Sequence, residues 1–162
     1  MKKVWIIFLA ALLLTGCATE ETFETVADEL VQPVMAQPRQ IAVNLPDNAV
    51  APVLESNSEQ MYLCQDYEIL MEIVDSGDLD ATIRRASGYG KADLTVLQTQ
   101  SEGVDRYEFV WTCIGETGHR LGQGVVLDDG NYHYVMTVLR DADSAEDTQI
   151  VWNEVFRSFT LV

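Results

Sequence analysis

The chain has 162 residues, 26 of them acidic and ten basic, and its net charge of −16 makes it strongly acidic. This length is sufficient for one domain with a hydrophobic core of ordinary size. A surface of this charge repels nucleic-acid phosphates and anionic lipid headgroups. We therefore expect no nucleic-acid partner, no membrane attachment through a basic patch, and a monomeric protein.

The first seventeen residues have the pattern of an export signal. Lys2 and Lys3 form a basic start, and residues 4–14 are an unbroken apolar run. As a helix this run would rise about 16 Å, roughly half of a hydrocarbon core. It is therefore too short to span a bilayer well and is typical of a secretory signal.

The end of this run, Leu14-Thr15-Gly16-Cys17, resembles the lipobox of bacterial lipoproteins. The resemblance implies a signal peptide over residues 1–16, cleavage before Cys17, and a diacylglycerol thioether with acyl chains such as palmitate on Cys17. It predicts an extracytoplasmic protein that is lipid-anchored to the cell membrane, on the outer face in a Gram-positive bacterium. The alternative is an uncleaved anchor or an ordinary signal peptide with an incidental cysteine.

Residues 17–39 are acidic and contain proline, which is typical of a stalk or linker. Apolar residues at helical spacing also permit a short amphipathic helix over residues 18–31. All four prolines lie between residues 33 and 52, which favours an extended chain that one strand at residues 40–45 interrupts. A single domain is therefore predicted over residues 40–162.

Alternating apolar and polar positions predict most of the strands. Residues 61–74 alternate as in a strand pair, or one long bent strand, with the bend at Gln65-Asp66. Asp78 is a good N-cap for a short helix that Gly88 and Gly90 end. Further strands are predicted at residues 94–98, 106–114, 121–127 and 131–139.

The last of these strands is apolar on both faces, which favours a central strand between helical layers. The stretch Asp128-Asp129-Gly130-Asn131 before it is the strongest hairpin signal in the chain. Ser144 and Asp147 then form a capping signal for a final helix. The buried stripe of that helix is predicted to be Trp152, Val155, Phe156 and Phe159.

This order of elements, with Val155-Phe156-Arg157-Ser158-Phe159 near its end, resembles the PsbP/Mog1-like fold and, more closely, uncharacterised Firmicutes lipoproteins that carry such a domain. The resemblance implies an α+β fold, in which helices cover both faces of a mainly antiparallel sheet to form an α/β/α sandwich. Members of this fold act as photosystem assembly or stabilising factors and as partners of a small GTPase. The resemblance therefore implies a non-catalytic binding or assembly module of the cell envelope, and it transfers no catalytic or partner-contacting residue.

Two cysteines remain once Cys17 carries the lipid. Cys64 and Cys113 both lie in predicted strands. Outside the cytoplasm such a pair can persist as a disulfide, although exported bacterial proteins also keep buried free thiols. Both states stay open from the sequence.

Motifs for metals and cofactors are incomplete, so no cofactor is predicted. The glycines of residues 115–124 lack the Lys-Ser/Thr of a P-loop and are interpreted as serving turns and a strand edge. His119 and His133 lack the spacing of a zinc site, and Asp141-Ala142-Asp143 lacks the glycine of a calcium loop. The alternative to a binding module is a metal-independent hydrolase in which Glu116 or a neighbouring acid acts with His119.

A candidate recognition surface follows from the geometry of a meander. If the last three strands are neighbours, the loops at residues 115–120 and 140–144 lie at the same end of the sheet. That end would gather Glu116, His119, Arg120, Arg140, Asp141 and Asp143. Mixed charge beside an imidazole suits an unknown envelope protein or small ligand. The alternative is that these residues only form surface ion pairs with one another.

Overall fold

The computed structural model of the protein describes residues 36–115, 118–142 and 145–162. The chain divides into two units, Met1–Met35 and Ala36–Val162, and only the second is described. The predictions about the lipobox at Leu14-Thr15-Gly16-Cys17 and the stalk helix at residues 18–31 therefore lie outside the described residues. No helix of the described ranges is both long and apolar enough to cross a membrane.

The described chain is an α+β domain in which strands predominate. Its strands are β1 Ile41–Ala42, β2 Leu54–Glu55, β3 Glu59–Leu63, β4 Tyr67–Asp75, β5 Val96–Ser101, β6 Val104–Gly115, β7 Gly118–Asp128, β8 Tyr132–Asp141 and β9 Thr160–Leu161. Helix α1 spans Leu79–Ser87 and helix α2 spans Ala145–Ser158, and a short 3-10 turn lies at Lys91–Asp93.

Seven strands form one antiparallel sheet in the order β2-β3-β4-β8-β7-β6-β5, and β1 pairs with β9 in a separate two-stranded sheet. Strand β8 is the fourth of the seven, which confirms the central position that its two apolar faces predicted. The alternating stretch at residues 61–74 is a strand pair, because Met61 of β3 lies opposite Leu70 of β4. The predicted strand at residues 40–45 is shorter than expected, since only Ile41–Ala42 pairs.

Helix α1 begins and ends at the predicted residues. The Asp78 side chain accepts a hydrogen bond from the Asp80 amide at 2.9 Å, which satisfies one of the open N–H groups of the first turn. At the other end Gly88 adopts a φ of 84°, and its amide donates to the Arg84 carbonyl at 2.8 Å. A left-handed residue at this position is the reason that glycine stands there.

The first hydrophobic cluster joins α2 to the sheet. Trp152, Val155, Phe156 and Phe159 are all buried, as the stripe predicted, although Phe159 lies one residue beyond the helix. They pack with side chains of the central strands, such as Tyr67, Val125, Tyr134, Met136 and Val138. The Trp152 indole meets the Tyr67 ring edge to face, with centroids 4.7 Å apart. Ser144, the predicted cap of this helix, lies outside the described residues.

The second hydrophobic cluster joins α1 to the sheet and is built largely from aromatic side chains of β6. Ile83 of α1 is fully buried against Tyr107, Phe109 and Trp111. A Cβ at Gly124 would lie 2.6 Å from the Phe109 ring, and one at Gly122 would overlap the Trp111 indole. The interpretation of these two glycines as turn or edge residues was wrong, because both lie inside β7 and leave room for the rings.

Cys64 and Cys113 are free thiols, so the disulfide that the sequence left open does not form within this domain. Cys64 follows β3 and packs against the first cluster, whereas Cys113 lies on β6 and packs against the second. Four steps of about 4.8 Å separate β3 from β6 in the sheet, or roughly 19 Å in all. A disulfide requires Cα atoms within about 7 Å, which is much less than this separation.

Candidate functional site: an arginine-lined cleft

A cleft of about 480 Å³ opens beside β5, β6 and the C-terminal end of α2. We call it the arginine cleft. Its charged and amide-bearing lining residues are Arg39, Glu102, Arg106, Glu108, Gln123, Asn153 and Arg157. Its volume falls within the range of about 300–1,000 Å³ that is usual for small-molecule sites.

Arg106 fastens the end of α2 to strand β6. Its Nη2 donates to the Phe156 carbonyl at 2.6 Å and its Nη1 donates to the Phe159 carbonyl at 3.0 Å. Its Nε donates to Glu108 Oε1 at 2.6 Å. The last carbonyls of a helix have no partner inside the helix, and a cation there also opposes the negative end of the helix dipole. Arg106 is thus mainly a structural residue of the cleft.

Arg39 reaches the cleft from the chain before β1. Its amide donates to the Tyr134 hydroxyl at 2.8 Å, and its Nη2 donates to the Leu161 carbonyl at 3.3 Å. The Tyr134 hydroxyl in turn donates to Asp129 Oδ2 at 2.9 Å. Burial, and then the neighbouring Asp129 carboxylate, raise the pKa of Tyr134 to about 12. Arg39 also lines the cleft, with a single side-chain hydrogen bond to the described chain.

Arg157 lies in the last turn of α2 and is exposed. Within the part of the chain that the structure describes, its guanidinium forms no hydrogen bond or ion pair with another residue. A guanidinium carries five N–H donors in a planar fork that matches carboxylate and phosphate oxygens. Arg157 is therefore the lining residue with the most donors available to a ligand.

The cleft collects positive charge on an acidic domain. Five of the 26 acidic residues and two of the ten basic residues precede residue 36, so residues 36–162 carry 21 acidic against eight basic side chains, a net charge of −13. Three of those eight basic residues line the cleft, together with two glutamates. Glu108 is paired with Arg106, so the lining as a whole favours an anion.

Of the residues predicted at this end of the meander, the structure shows Arg120 and Asp141 close to each other. Arg120 lies opposite Asp141 in the strand register, and their side chains approach to 3.9 Å. Arg120 also donates to Glu68 Oε1 at 2.7 Å and to the Leu139 carbonyl at 3.1 Å. Arg140, one residue along β8, is buried, and burial lowers the pKa of its guanidinium. Glu116 and Asp143 lie outside the described residues, and the role of this end as a contact for a partner stays a prediction.

His119, the residue proposed for the hydrolase, lies exposed on β7 opposite Ile114. None of the carboxylates in residues 36–115, 118–142 and 145–162 forms a hydrogen bond or ion pair with it. A general base needs to be held within hydrogen-bond reach of its partner, or reach it through one water. The hydrolase alternative also names Glu116, outside the described residues, and therefore stays a prediction.

His133 lies in a polar network inside the domain. It is fully buried, and its Nδ1 lies 2.8 Å from the Thr82 hydroxyl. Its Nε2 lies 3.4 Å from Asp128 Oδ2 and 3.4 Å from the Ser76 hydroxyl. The order hydroxyl, imidazole, carboxylate is that of a hydrolytic triad, but Thr82 and His133 are both buried, so this hydroxyl has no access to a substrate. The network satisfies buried polar groups, as expected for a histidine in a sheet.

Sequence reasoning did not find the arginine cleft. Its three arginines belong to the segment before β1, to β6 and to α2, and only folding brings them together. The one available signal was the polar face of β6, where Arg106 and Glu108 alternate with Tyr107 and Phe109. In the described residues no group of three or more His, Cys, Asp or Glu side chains is arranged to hold a metal ion.

The chain matches no family model and no curated protein. Among solved structures it is similar to LpqN of Mycobacterium tuberculosis, which is described as involved in cell envelope biogenesis. The TM-score is 0.52 at 12% sequence identity, and the match covers 78% of this chain and 86% of LpqN. This similarity supports the α+β fold with a mostly antiparallel sheet.

Proposed function

We propose that this protein is a membrane-anchored extracytoplasmic lipoprotein and that its domain is a non-catalytic binding module of the cell envelope. The lipobox-like Leu14-Thr15-Gly16-Cys17 supports the anchor and the location. The fold similarity to LpqN is compatible with a role in the envelope. Both are consistent with the resemblance to PsbP/Mog1-like lipoproteins that the sequence indicated.

The observation that carries the binding role is the arginine cleft. It is an open space of about 480 Å³, and the guanidinium of Arg157 at its edge pairs with no other residue of the described part of the chain. Among the described residues, its lining contains the carboxylates Glu102 and Glu108 and the hydroxyl groups of Thr99, Ser101 and Thr160, but no histidine, cysteine or lysine. The guanidinium groups of this lining suit the cleft to binding an anionic ligand.

We also propose the α/β/α layering of the domain, with α1 and α2 on opposite faces of the sheet. Successive residues of a strand point to opposite faces. On β8, Tyr134 and Met136 belong to the cluster of α2, whereas Val135 between them belongs to the cluster of Ile83 in α1. An experimental structure with both helices on one face would contradict this arrangement.

The anchor is tested by Cys17→Ser in the full chain expressed in a bacterium with lipoprotein processing. We expect uncleaved precursor or released protein in place of the membrane-bound mature form, because no thioether can form on serine. Cys64→Ser and Cys113→Ser are matched controls and should be processed and anchored normally. Fractionation and mass spectrometry of the N-terminus provide the readout. A Cys17→Ser protein that is processed and membrane-bound would disprove the anchor.

The binding role is tested with a photo-crosslinking amino acid at Thr99, which lines the cleft. In intact cells we expect a defined adduct from Thr99. The control position is Asp47, which is exposed and is not part of the cleft lining. Adducts of equal yield and identity at both positions, or none at Thr99, would contradict a binding role for the cleft.

A further inference from the structure

An exposed apolar strip continues the arginine cleft along the sheet. We define the apolar strip as Leu97, Val110 and Ile114, whose side chains are 60%, 54% and 82% exposed. Leu97 lies opposite Glu108 in the register, and Val110 lies opposite Gln123. Because Glu108 and Gln123 line the cleft, the strip and the cleft share one side of the sheet and adjoin each other.

This side of the sheet is the one that carries the first cluster. Leu127 and Val125 of that cluster lie opposite Arg106 and Glu108. Helix α2 packs on the cluster, but it leaves the strip exposed. Leu97 and Val110 lie diagonally across β5 and β6, and Ile114 lies on the same face of β6 four residues beyond Val110, with Thr112 between them. Exposed apolar side chains that share one face in this way can mark a binding surface.

The strip and the cleft together form an elongated surface with charge at one end. At about 3.4 Å per residue along β6, Val110 lies roughly 14 Å from Arg106 and Ile114 roughly 27 Å from it. An alkyl chain on this surface would therefore extend away from the cationic cleft along apolar side chains. Arg39 and Arg157 retain donors for an acidic head group at the other end.

We infer, on the basis of the proposed binding role, that the arginine cleft and the apolar strip bind an anionic amphiphile, with its phosphate or carboxylate head at Arg39 and Arg157 and its alkyl chain along Leu97, Val110 and Ile114. Charge complementarity selects this occupant. A second copy of the domain, residues 36–162, would bring another net charge of −13, and a basic protein would meet guanidinium groups in the cleft.

The acidity of the domain does not prevent this binding. At physiological ionic strength the Debye length is about 8 Å, so distant carboxylates are screened while groups within the cleft act directly on the head group. The repulsion expected between this domain and a bilayer concerns its whole surface, whereas the cleft engages one molecule at a time.

The test is calorimetric titration of the whole mature polypeptide, residues 17–162 with Cys17→Ser, so that no covalent acyl chain competes. The probes are decyl phosphate, decanoate, decanol and inorganic phosphate, each below the concentration at which it aggregates. We expect decyl phosphate or decanoate to bind on the order of 30-fold more tightly than inorganic phosphate, because alkyl carbons leave water on the strip. The tighter of the two acidic amphiphiles identifies the head group.

Variants separate the two parts of the surface. Arg157→Gln should lower the affinity for acidic amphiphiles about fivefold. Arg85→Gln makes the same charge change on α1, and it should leave this affinity within about twofold of that of the parent protein. Val110→Thr keeps a β-branched residue in the strand. It should lower the affinity for decyl phosphate about threefold without changing the affinity for inorganic phosphate. Val50→Thr is the matched control at an exposed valine outside the strip.

The inference is overturned if decanol binds as tightly as decyl phosphate, if inorganic phosphate does, or if Arg85→Gln weakens binding as much as Arg157→Gln. The processing test at Cys17 is independent of this titration. If the protein is anchored through Cys17 and crosslinks at Thr99 but does not bind acidic amphiphiles, the proposed function stands and only the inference about the ligand is wrong.

Discussion

The two hydrophobic clusters are built in opposite ways. In the first, the helix supplies the large side chains, since Trp152 and Phe156 of α2 enter a sheet surface of aliphatic residues and tyrosines. In the second, the sheet supplies them, since Phe109 and Trp111 stack at 5.7 Å between centroids and α1 contributes Ile83. Glycines at positions 122 and 124 leave space for these rings on the neighbouring strand.

This difference has a consequence for where a ligand can bind. The aromatic rings of β6 themselves cover much of the face of the sheet from which they project. A short helix such as α1 is therefore sufficient to complete the second cluster. The first cluster depends on one helix that covers the central strands, and β5 and the outer part of β6 keep an exposed surface. The arginine cleft and the apolar strip lie on that exposed part.

The largest loss of stability is expected in the first cluster, where helix α2 supplies the aromatic ring. Trp152→Ala should lower the free energy of unfolding by about 3–5 kcal/mol, because it removes a buried indole and leaves a cavity against Tyr67. Urea unfolding followed by circular dichroism measures the change. Glu154→Ala, on an exposed position of the same helix, should stay within about 0.5 kcal/mol of the parent protein. Equal losses in the two variants would contradict a cluster that α2 builds.

A smaller loss is expected where a glycine makes room for a sheet ring. Gly122→Ala should lower the free energy of unfolding by about 2–3 kcal/mol, because its Cβ would overlap the Trp111 indole. Gly77→Ala is the control, since a Cβ there meets nothing within 4 Å. The overlap also predicts that Trp111→Leu recovers part of the loss in the double variant. Additive losses in that double-mutant cycle would mean that the ring and the glycine do not interact.

The smallest effect is expected from Asp129, whose carboxylate holds the Tyr134 hydroxyl at the margin of the first cluster. Partial burial alone would raise its pKa, but the Tyr132 and Asn131 amides and the Tyr134 hydroxyl hold the pKa of Asp129 below its usual value. The stability it contributes is therefore present above the unfolded pKa of about 3.9 and is lost as the pH falls through the lower folded pKa.

Asp129→Asn should consequently be less stable than the parent protein at pH 7, by under about 1 kcal/mol because the group is partly solvated. The difference should shrink when urea unfolding is repeated below about pH 4. Asp47→Asn, at an exposed residue without a hydrogen bond from the described chain, is the matched control. A difference that stays constant from pH 7 to pH 3.5 would show that the ionised form of Asp129 is not the stabilising one.

Local and periodic signals predicted much of the fold. The two apolar faces of β8 indicated its central place, because only a strand covered on both sides can carry them. Asp78 and Gly88 indicated the ends of α1, because their roles depend on backbone groups a few residues away. The hairpin at residues 128–131 belongs to the same class, and Gly130 there has a φ of 88°. Each of these signals involves neighbours in sequence.

The site could not be predicted in the same way, because its parts are remote in sequence. Arg39 contacts Leu161, and Arg106 contacts Phe156 and Phe159, over separations of 122, 50 and 53 residues. No periodic pattern links such positions. The role of Gly122 and Gly124 depends on the size of side chains on a neighbouring strand, so a glycine that makes room for a ring looks like a glycine that permits a turn.

The pairing of β1 with β9 makes the cleft sensitive to local opening. Strand β1 pairs with β9 through two residue pairs, Ile41 with Leu161 and Ala42 with Thr160. Arg39 precedes this short ladder and donates a hydrogen bond to the carbonyl of Leu161, which pairs with Ile41. A tensile force on the chain at Ala36 would load the hydrogen bond from the Tyr132 hydroxyl to the Ala36 carbonyl, the bond from the Arg39 amide to the Tyr134 hydroxyl, and then this short ladder. These few bonds would separate before the strand pairing of the seven-stranded sheet, since small peripheral units open at lower free energy than a central sheet. Their separation would withdraw Arg39 from the cleft, so the affinity of the cleft would fall under mechanical load while the fold of the sheet persisted.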